Sequence, residues 1–355
     1  MAPIQTNAIQ PSAGPTNEGS TNEDRTGGRR IENAARTGVR DVPGEGERDE
    51  AVLIAARDGF PLAATLHRAK RSGHETGGRR VVVVAPATGV ARTFYRRFAR
   101  FMAGRGFDVV TFDYRGIGGS RIGSLRGFRA TMSEWAEQDL AGVLDYAKGA
   151  LGATDLTLVG HSFGGQAVGL IPNADLIDKF VGVGAQLGDL RLYPAPARHA
   201  YTALMAGLIP VTTGALGFWP MSLVGGEDLP RGVAREWARW CLSPGYYAGD
   251  VGSPFRERLA TFKAPTRLYS FDDDRYAPAA AVDALAALLS SAPVERCHLQ
   301  PEDYGGRLGH FSFFRPRFES SLWFDVVRFL ETDSARSRGE VSLDEYMFNR
   351  ALRAS

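Results

Sequence analysis

Only two cysteines, Cys241 and Cys297, occur in 355 residues, far apart and outside any Cys-x-x-Cys spacing. That count excludes a disulfide framework and a cysteine-built zinc site, and both thiols are expected to be structural filler in a reducing compartment. Long apolar runs are missing as well: no stretch approaches the ~20 consecutive apolar residues that span a bilayer. Charge of one sign is equally scarce, since 42 Lys and Arg against 40 Asp and Glu leave +2, interspersed along the chain. Neither nucleic acid nor an anionic membrane surface is expected as a partner. Residues 1–20 contain no apolar segment of the kind that directs secretion, so the expected location is cytoplasmic. Large apolar residues stay sparse through residue 50, too few to offset the entropy of ordering, and 1–50 is expected to be a disordered tail. The remainder is rich enough in apolar residues (44% of the whole chain) for one large domain, with or without an insertion.

Residues 52–56 read as a strand, Asp58-Gly59 as a tight turn and 62–67 as the return strand of a hairpin. A polar loop follows to residue 80. Then Val81-Val82-Val83-Val84-Ala85 gives the β-branched run of a parallel strand covered on both faces. Residues 93–104 carry Phe94, Phe98, Phe101 and Met102 at helical spacing, and 107–112 reads as a strand. Residues 132–151 form a helix with Trp135, Leu140, Val143, Leu144 and Ala147 on one face, followed by strands at 156–160 and 180–185. From 186 to 261 the rhythm breaks into a segment rich in Pro, Gly, Trp and Tyr, with a helical piece at 233–240. It resumes with strand 266–271, helix 278–290, strand 294–299 and helix 318–330. Such alternation implies one α/β domain over 51–185 and 262–331, built on a mostly parallel sheet with right-handed crossovers. The segment 186–261 is expected to be an inserted lid, and 332–355 a C-terminal tail.

The chemistry concentrates at Gly160-His161-Ser162-Phe163-Gly164-Gly165, placed directly after a strand and before a helix. A strand that turns sharply into a helix strains the serine backbone and lifts its hydroxyl above the sheet, and only glycines tolerate the packing on either side. The helix N-terminus adds positive dipole where negative charge develops. Ser162 is therefore the expected nucleophile. A serine hydroxyl needs a base, and the base an orienting carboxylate. Beyond residue 261 stand two histidines. His298 lies within a strand, where a structural role is expected, whereas His310 lies in a loop before the last helix and is the expected base. Three aspartates, Asp272-Asp273-Asp274, end strand 266–271, on the active-site rim of an open parallel sheet. Asp274, four residues before Pro278, is favoured as the acid, with Asp273 next. Two backbone donors should bind the oxyanion: Phe163 N–H, and Ala87 or Thr88 in the loop after Ala85.

These residues carry a resemblance. With Ala85-Pro86-Ala87-Thr88-Gly89, Asp113-Tyr114-Arg115-Gly116-Ile117-Gly118-Gly119-Ser120, Glu236-Trp237-Ala238-Arg239-Trp240-Cys241 and Gly309-His310-Phe311, residues 51–331 resemble the α/β-hydrolase superfamily. Within it they are similar to the serine aminopeptidase/monoglyceride lipase-like group, nearest a branch of bacterial α/β hydrolases of undefined substrate. The resemblance implies an α/β-hydrolase fold of about eight strands with helices on both faces and an inserted helical lid. It implies a Ser162-His310-Asp274 triad and no cofactor. The expected activity is cleavage of a carboxylic ester or related acyl bond in a small-molecule substrate; the alternatives are an amidase, peptidase or acyltransferase with the same triad, and a non-catalytic binding protein on the same scaffold. Two departures matter: the oxyanion loop lacks the usual His-Gly pair, and the aspartate run leaves the acid open by one residue. The Asp113–Gly116 turn is expected to be scaffold. The aromatics of the insertion, Tyr193, Tyr201, Phe218, Trp219, Trp237, Trp240, Tyr246 and Tyr247, are candidates either for an apolar pocket or for the insertion's own core.

Overall fold

A computed structural model describes residues 49–69 and 78–332. Residues 1–48 of the tail expected over 1–50, residues 70–77 of the polar loop and residues 333–355 of the C-terminal tail expected over 332–355 lie outside the described residues. The first strand, β1 (Asp49–Ala55), pairs antiparallel with β2 (Pro61–His67), Asp49 facing His67 and Ala55 facing Pro61. It starts two residues inside the segment expected to be disordered. The cause is ionic: His67 Nδ1 and Arg100 Nη2 reach the Asp49 carboxylate at 2.6 and 2.9 Å, and Glu50 pairs with Arg68 at 3.1 Å. An apolar pattern does not register such cross-strand pairs.

Six further strands complete one sheet: β3 (Arg80–Ala85), β4 (Asp108–Phe112), β5 (Asp155–His161), β6 (Lys179–Val183), β7 (Thr266–Phe271) and β8 (Val294–Leu299). Their order is β1-β2-β4-β3-β5-β6-β7-β8. Only β2 runs against its neighbours; from β4 to β8 every pair is parallel. The four valines of β3 explain why a parallel sheet forms here. Val81 and Val83 enter the core on one face, with Trp135, Leu140 and Leu144, whereas Val82 and Val84 enter the other, with Phe98, Met102 and Trp323. A period-two side-chain pattern that is apolar at every position needs helices on both sides.

The expected helix 132–151 is present over 132–149, but its middle, Trp135–Leu140, widens into a π-helical turn. Residue Asp139 in that turn is fully buried and accepts hydrogen bonds from Arg115 N–H (2.9 Å) and Arg115 Nε (2.7 Å). The Arg115 guanidinium also grips Asp58 at 2.7 and 2.8 Å, and Trp135 Nε1 donates to the Arg115 carbonyl at 3.0 Å. The Asp113–Gly116 turn is thus scaffold.

Between β6 and β7 the chain forms helices Ala195–Ala203, Ile209–Leu216, Arg231–Leu242 and Pro254–Thr261, plus a two-residue ribbon of Phe218–Trp219 with Leu229–Pro230. Several aromatics of this segment fasten it instead of lining a pocket. Trp240, Tyr246 and Tyr247 pack on one another, while Tyr246 Oη donates to Gln166 Oε1 at 3.0 Å and Tyr247 Oη to the Gln166 carbonyl at 2.6 Å. Tyr193 Oη donates to the Tyr276 carbonyl at 2.7 Å, and Tyr201 Oη to that of Arg275 at 3.4 Å. Among the described residues, no helix is long and apolar enough to cross a membrane.

Candidate active site

The strand order reverses at β3, with β4 on one side and β5 on the other, so a crevice opens at the C-terminal ends of β3 and β5. Ser162 follows β5 at that point. Its backbone sits at φ 51° and ψ −117°, where a residue with a Cβ pays steric strain. Hydrogen bonds over-determine the turn: Ser162 N–H donates to the Val183 carbonyl (2.9 Å), and the Ser162 carbonyl accepts from Gly165 and Gln166 at 2.9 and 3.0 Å. Three glycines make it sterically possible. A Cβ on Gly160 would stand 2.5 Å from Gly165 N; one on Gly164 would collide with the Ala85 carbonyl oxygen; one on Gly165 would strike the Ala185 side chain.

His310, in the short helix Gly309–Ser312, brings Nδ1 to 2.7 Å from Asp274 Oδ2. The other oxygen of Asp274 accepts from the backbone N–H groups of Tyr276 (2.8 Å) and Ala277 (3.0 Å). Both residues are buried. Asp273 has a different task, accepting from Leu308 N–H at 3.1 Å and Gly309 N–H at 2.7 Å, and so holds the backbone leading to His310. His298 stays in β8, bound to Ser270 Oγ at 2.9 Å. The His310 ring covers Gly184, where φ is +55° and a Cβ would lie 3.1 Å from Nδ1 and Cε1. Gly184 directly follows Val183, whose carbonyl holds Ser162, so the serine and the imidazole converge on one point of β6.

Of the candidate oxyanion donors, Phe163 N–H opens a helix and has no intrahelical acceptor. Ala87 N–H is already engaged, donating to Tyr95 Oη at 2.9 Å in a buried contact. Thr88 N–H has no acceptor among the described residues. Both thiols sit in surroundings that keep them protonated: burial pushes Cys297 up to about 11 and raises Cys241 further.

Three residues here escape a reading of the sequence. Tyr95 Oη lies 2.9 Å from His161 Nδ1, and His161 Nε2 lies 2.9 Å from the His310 carbonyl. Both residues are wholly buried. His161 was the unassigned position of the serine motif, Tyr95 one aromatic among many at helical spacing, and Gly184 one of 42 glycines. An aromatic rim is the other feature not foreseen: the rings of Tyr276 and Phe311 flank His310 at 5.3 and 5.0 Å, and Phe94 meets Phe311 at 6.3 Å.

Burial, and then the neighbouring His310, hold His161 well below its ordinary 6.5. The native state therefore refuses a proton that the unfolded chain accepts as pH falls through 6.5. Stability is complete above that value and is lost below it, at up to about 1.4 kcal/mol per pH unit for this group. Urea unfolding at pH 7.5, 6.5 and 5.5 should show the loss, and His161→Gln should flatten the slope by up to one proton.

No curated protein matches the sequence. Solved structures do match. An esterase from Pyrococcus furiosus superposes with a TM-score of 0.51 at 14% identity, over 80% of this chain and 90% of its own. A thermophilic esterase from Thermogutta terrifontis, with malate bound, gives 0.50 at 16% identity over 80% of this chain and 100% of its own. At such identities the likeness is one of fold. The alpha/beta hydrolase family model matches residues 81–319, which span β3 to β8 with Ser162, Asp274 and His310 among them, and the chain belongs to that family.

Proposed function

We propose that the protein is a serine esterase that cleaves a carboxylic ester through an acyl-enzyme, with Ser162, His310 and Asp274 as its triad. The observation that carries this reading is the Asp274–His310 pair at 2.7 Å, packed on Gly184 beside the strained Ser162. Ser162 Oγ attacks the ester carbonyl as His310 Nε2 takes its proton, while Asp274 holds Nδ1–H and stabilises the imidazolium. The tetrahedral oxyanion accepts from Phe163 and Thr88 N–H. Its collapse expels the alcohol, protonated by His310, and water then repeats the sequence on the acyl-enzyme. The aromatic rim of Phe94, Phe311 and Tyr276 favours an apolar substrate, and the segment 186–261 serves as the lid. The motif residues favour the serine aminopeptidase/monoglyceride lipase-like group, and two thiols without a disulfide favour a cytoplasmic location.

The test is a fluorophosphonate probe on the whole chain, with the adduct mapped by peptide mass spectrometry, beside turnover of p-nitrophenyl esters of increasing acyl length. A single adduct on Ser162, with hydrolysis lost in step, is the expected result. Folded protein that hydrolyses esters without labelling, or that labels elsewhere, overturns the assignment.

A further inference from the structure

The hydrogen bonds around His161 have forced directions. The His310 carbonyl can only accept, so His161 Nε2 carries the hydrogen of that 2.9 Å bond. Ala87 N–H can only donate, so Tyr95 Oη accepts from it and keeps its own hydrogen for His161 Nδ1. Nδ1 is therefore bare, and His161 is the neutral Nε2–H tautomer. Every donor and acceptor in this chain is used, and Tyr95 and His161 are fully buried, with Ala87 only 2% exposed. Rings close the network laterally, since Phe314 packs on Tyr95 at 4.8 Å and on His161 at 5.1 Å.

The chain runs between two places that must keep a fixed separation. One end is the amide next to Thr88, the proposed oxyanion donor. The other is the backbone of His310, the proposed base. Between them stands the residue immediately before Ser162. We propose that His161 and Tyr95 are positioning residues: one directional chain of hydrogen bonds sets the distance from the oxyanion loop to the His310 imidazole and refers both to the nucleophile. Neither touches substrate. This rests on the triad reading above. The asymmetry of the chain is what makes the role specific, because a side chain at 161 must accept at one end and donate at the other. Loss of either end frees the 87–88 loop or the His310 loop to drift, and displacements near 1 Å cost about a hundredfold in rate.

The experiment uses four variants of the whole protein: His161→Leu, His161→Gln, Tyr95→Phe, and Tyr95→Phe with His161→Leu. Ester hydrolysis is measured well below each unfolding midpoint. The expected result for His161→Leu is a kcat loss of about a hundredfold with KM changed by less than about threefold. His161→Gln, which accepts and donates like the neutral imidazole, should recover at least about tenfold of that loss. The double variant should lose no more than the worse single one, because both residues act in one chain. Additive losses, kcat values that follow thermal stability alone, or Gln no better than Leu would overturn the inference. Should His161→Leu not fold, Tyr95→Phe and His161→Gln carry the same test: a kcat loss in the first with KM retained supports it, and wild-type kcat in the first opposes it. Failure of the triad reading is seen separately, as wild-type protein that does not label at Ser162.

Discussion

Asp274→Asn should lower kcat by about 10⁴, while its neighbour Asp273→Asn lowers stability and leaves most of the turnover. The difference follows from what each carboxylate holds. Asp274 accepts on both oxygens, from His310 Nδ1 on one and from two backbone N–H groups on the other. An asparagine has one acceptor and one donor end. If its oxygen stays with Tyr276 and Ala277 N–H, its amide hydrogens face His310 Nδ1 and stabilise the tautomer with hydrogen on Nε2. That tautomer cannot take the Ser162 proton. If the amide flips, the Tyr276 and Ala277 N–H groups lose their acceptor, at about 1–3 kcal/mol for the buried one of Ala277. Asp273 binds only the backbone of Leu308 and Gly309, so its amide costs about 1–2 kcal/mol in unfolding and shifts KM more than kcat. Steady-state kinetics with urea titration on both variants decides the assignment. Equal losses of kcat would mean that the carboxylate facing His310 is not the orienting acid.

Gly164→Ala should leave no stably folded enzyme, a destabilisation of about 4 kcal/mol or more. Its Cβ would overlap the Ala85 carbonyl oxygen and stand 2.5 Å from the carbonyl carbon. Both partners are backbone, one in a helix of four residues and one at the end of a central strand, so no rotamer change relieves the contact. Relief requires the helix behind Ser162 to move off the sheet, taking Phe163 N–H with it and disturbing the loop after Ala85 that is proposed to bind the oxyanion. Gly149→Ala is the matched control. Gly149 is the last residue of the helix Ala141–Gly149, a Cβ there meets nothing within 4 Å, and the substitution should stabilise by about 0.5–1 kcal/mol. Thermal unfolding of the pair reads both effects. A cooperative Gly164→Ala protein with the wild-type midpoint would mean the turn is looser than described.

The sheet was legible because strands and helices alternate and because β3 to β7 are bounded runs rich in β-branched and aromatic residues; β8, with Val294 its one β-branched residue, is legible from its place in that alternation. Ser162, His310 and the aspartates stand out as candidates because motif, element and chain order agree. What could not be read depends on contacts that bring together residues distant in sequence. His161 and the His310 carbonyl are 149 residues apart, and nothing local to either announces the bond. The bond from Ala87 N–H to Tyr95 Oη is another, since the tyrosine closes the 3₁₀ turn Arg92–Tyr95 and its hydroxyl reaches back to the loop. The π turn at Trp135–Leu140 is similarly opaque, since its reward is the distant Arg115 clamp. Charged strand ends such as Asp49 and Glu50 read as tail until their partners are known.

Tyr193 and Tyr201 hydrogen-bond the Asp274 turn through the carbonyls of Tyr276 and Arg275. Main-chain anchors do not depend on which residues stand at 275 and 276. The side chain of Tyr276, half exposed and packed on Tyr201, His310 and Phe311, can therefore be exchanged without removing the hydrogen bonds that hold the Asp274 turn. The fold thus ties this turn down by its main chain and leaves the aromatic rim above it open to change one residue at a time.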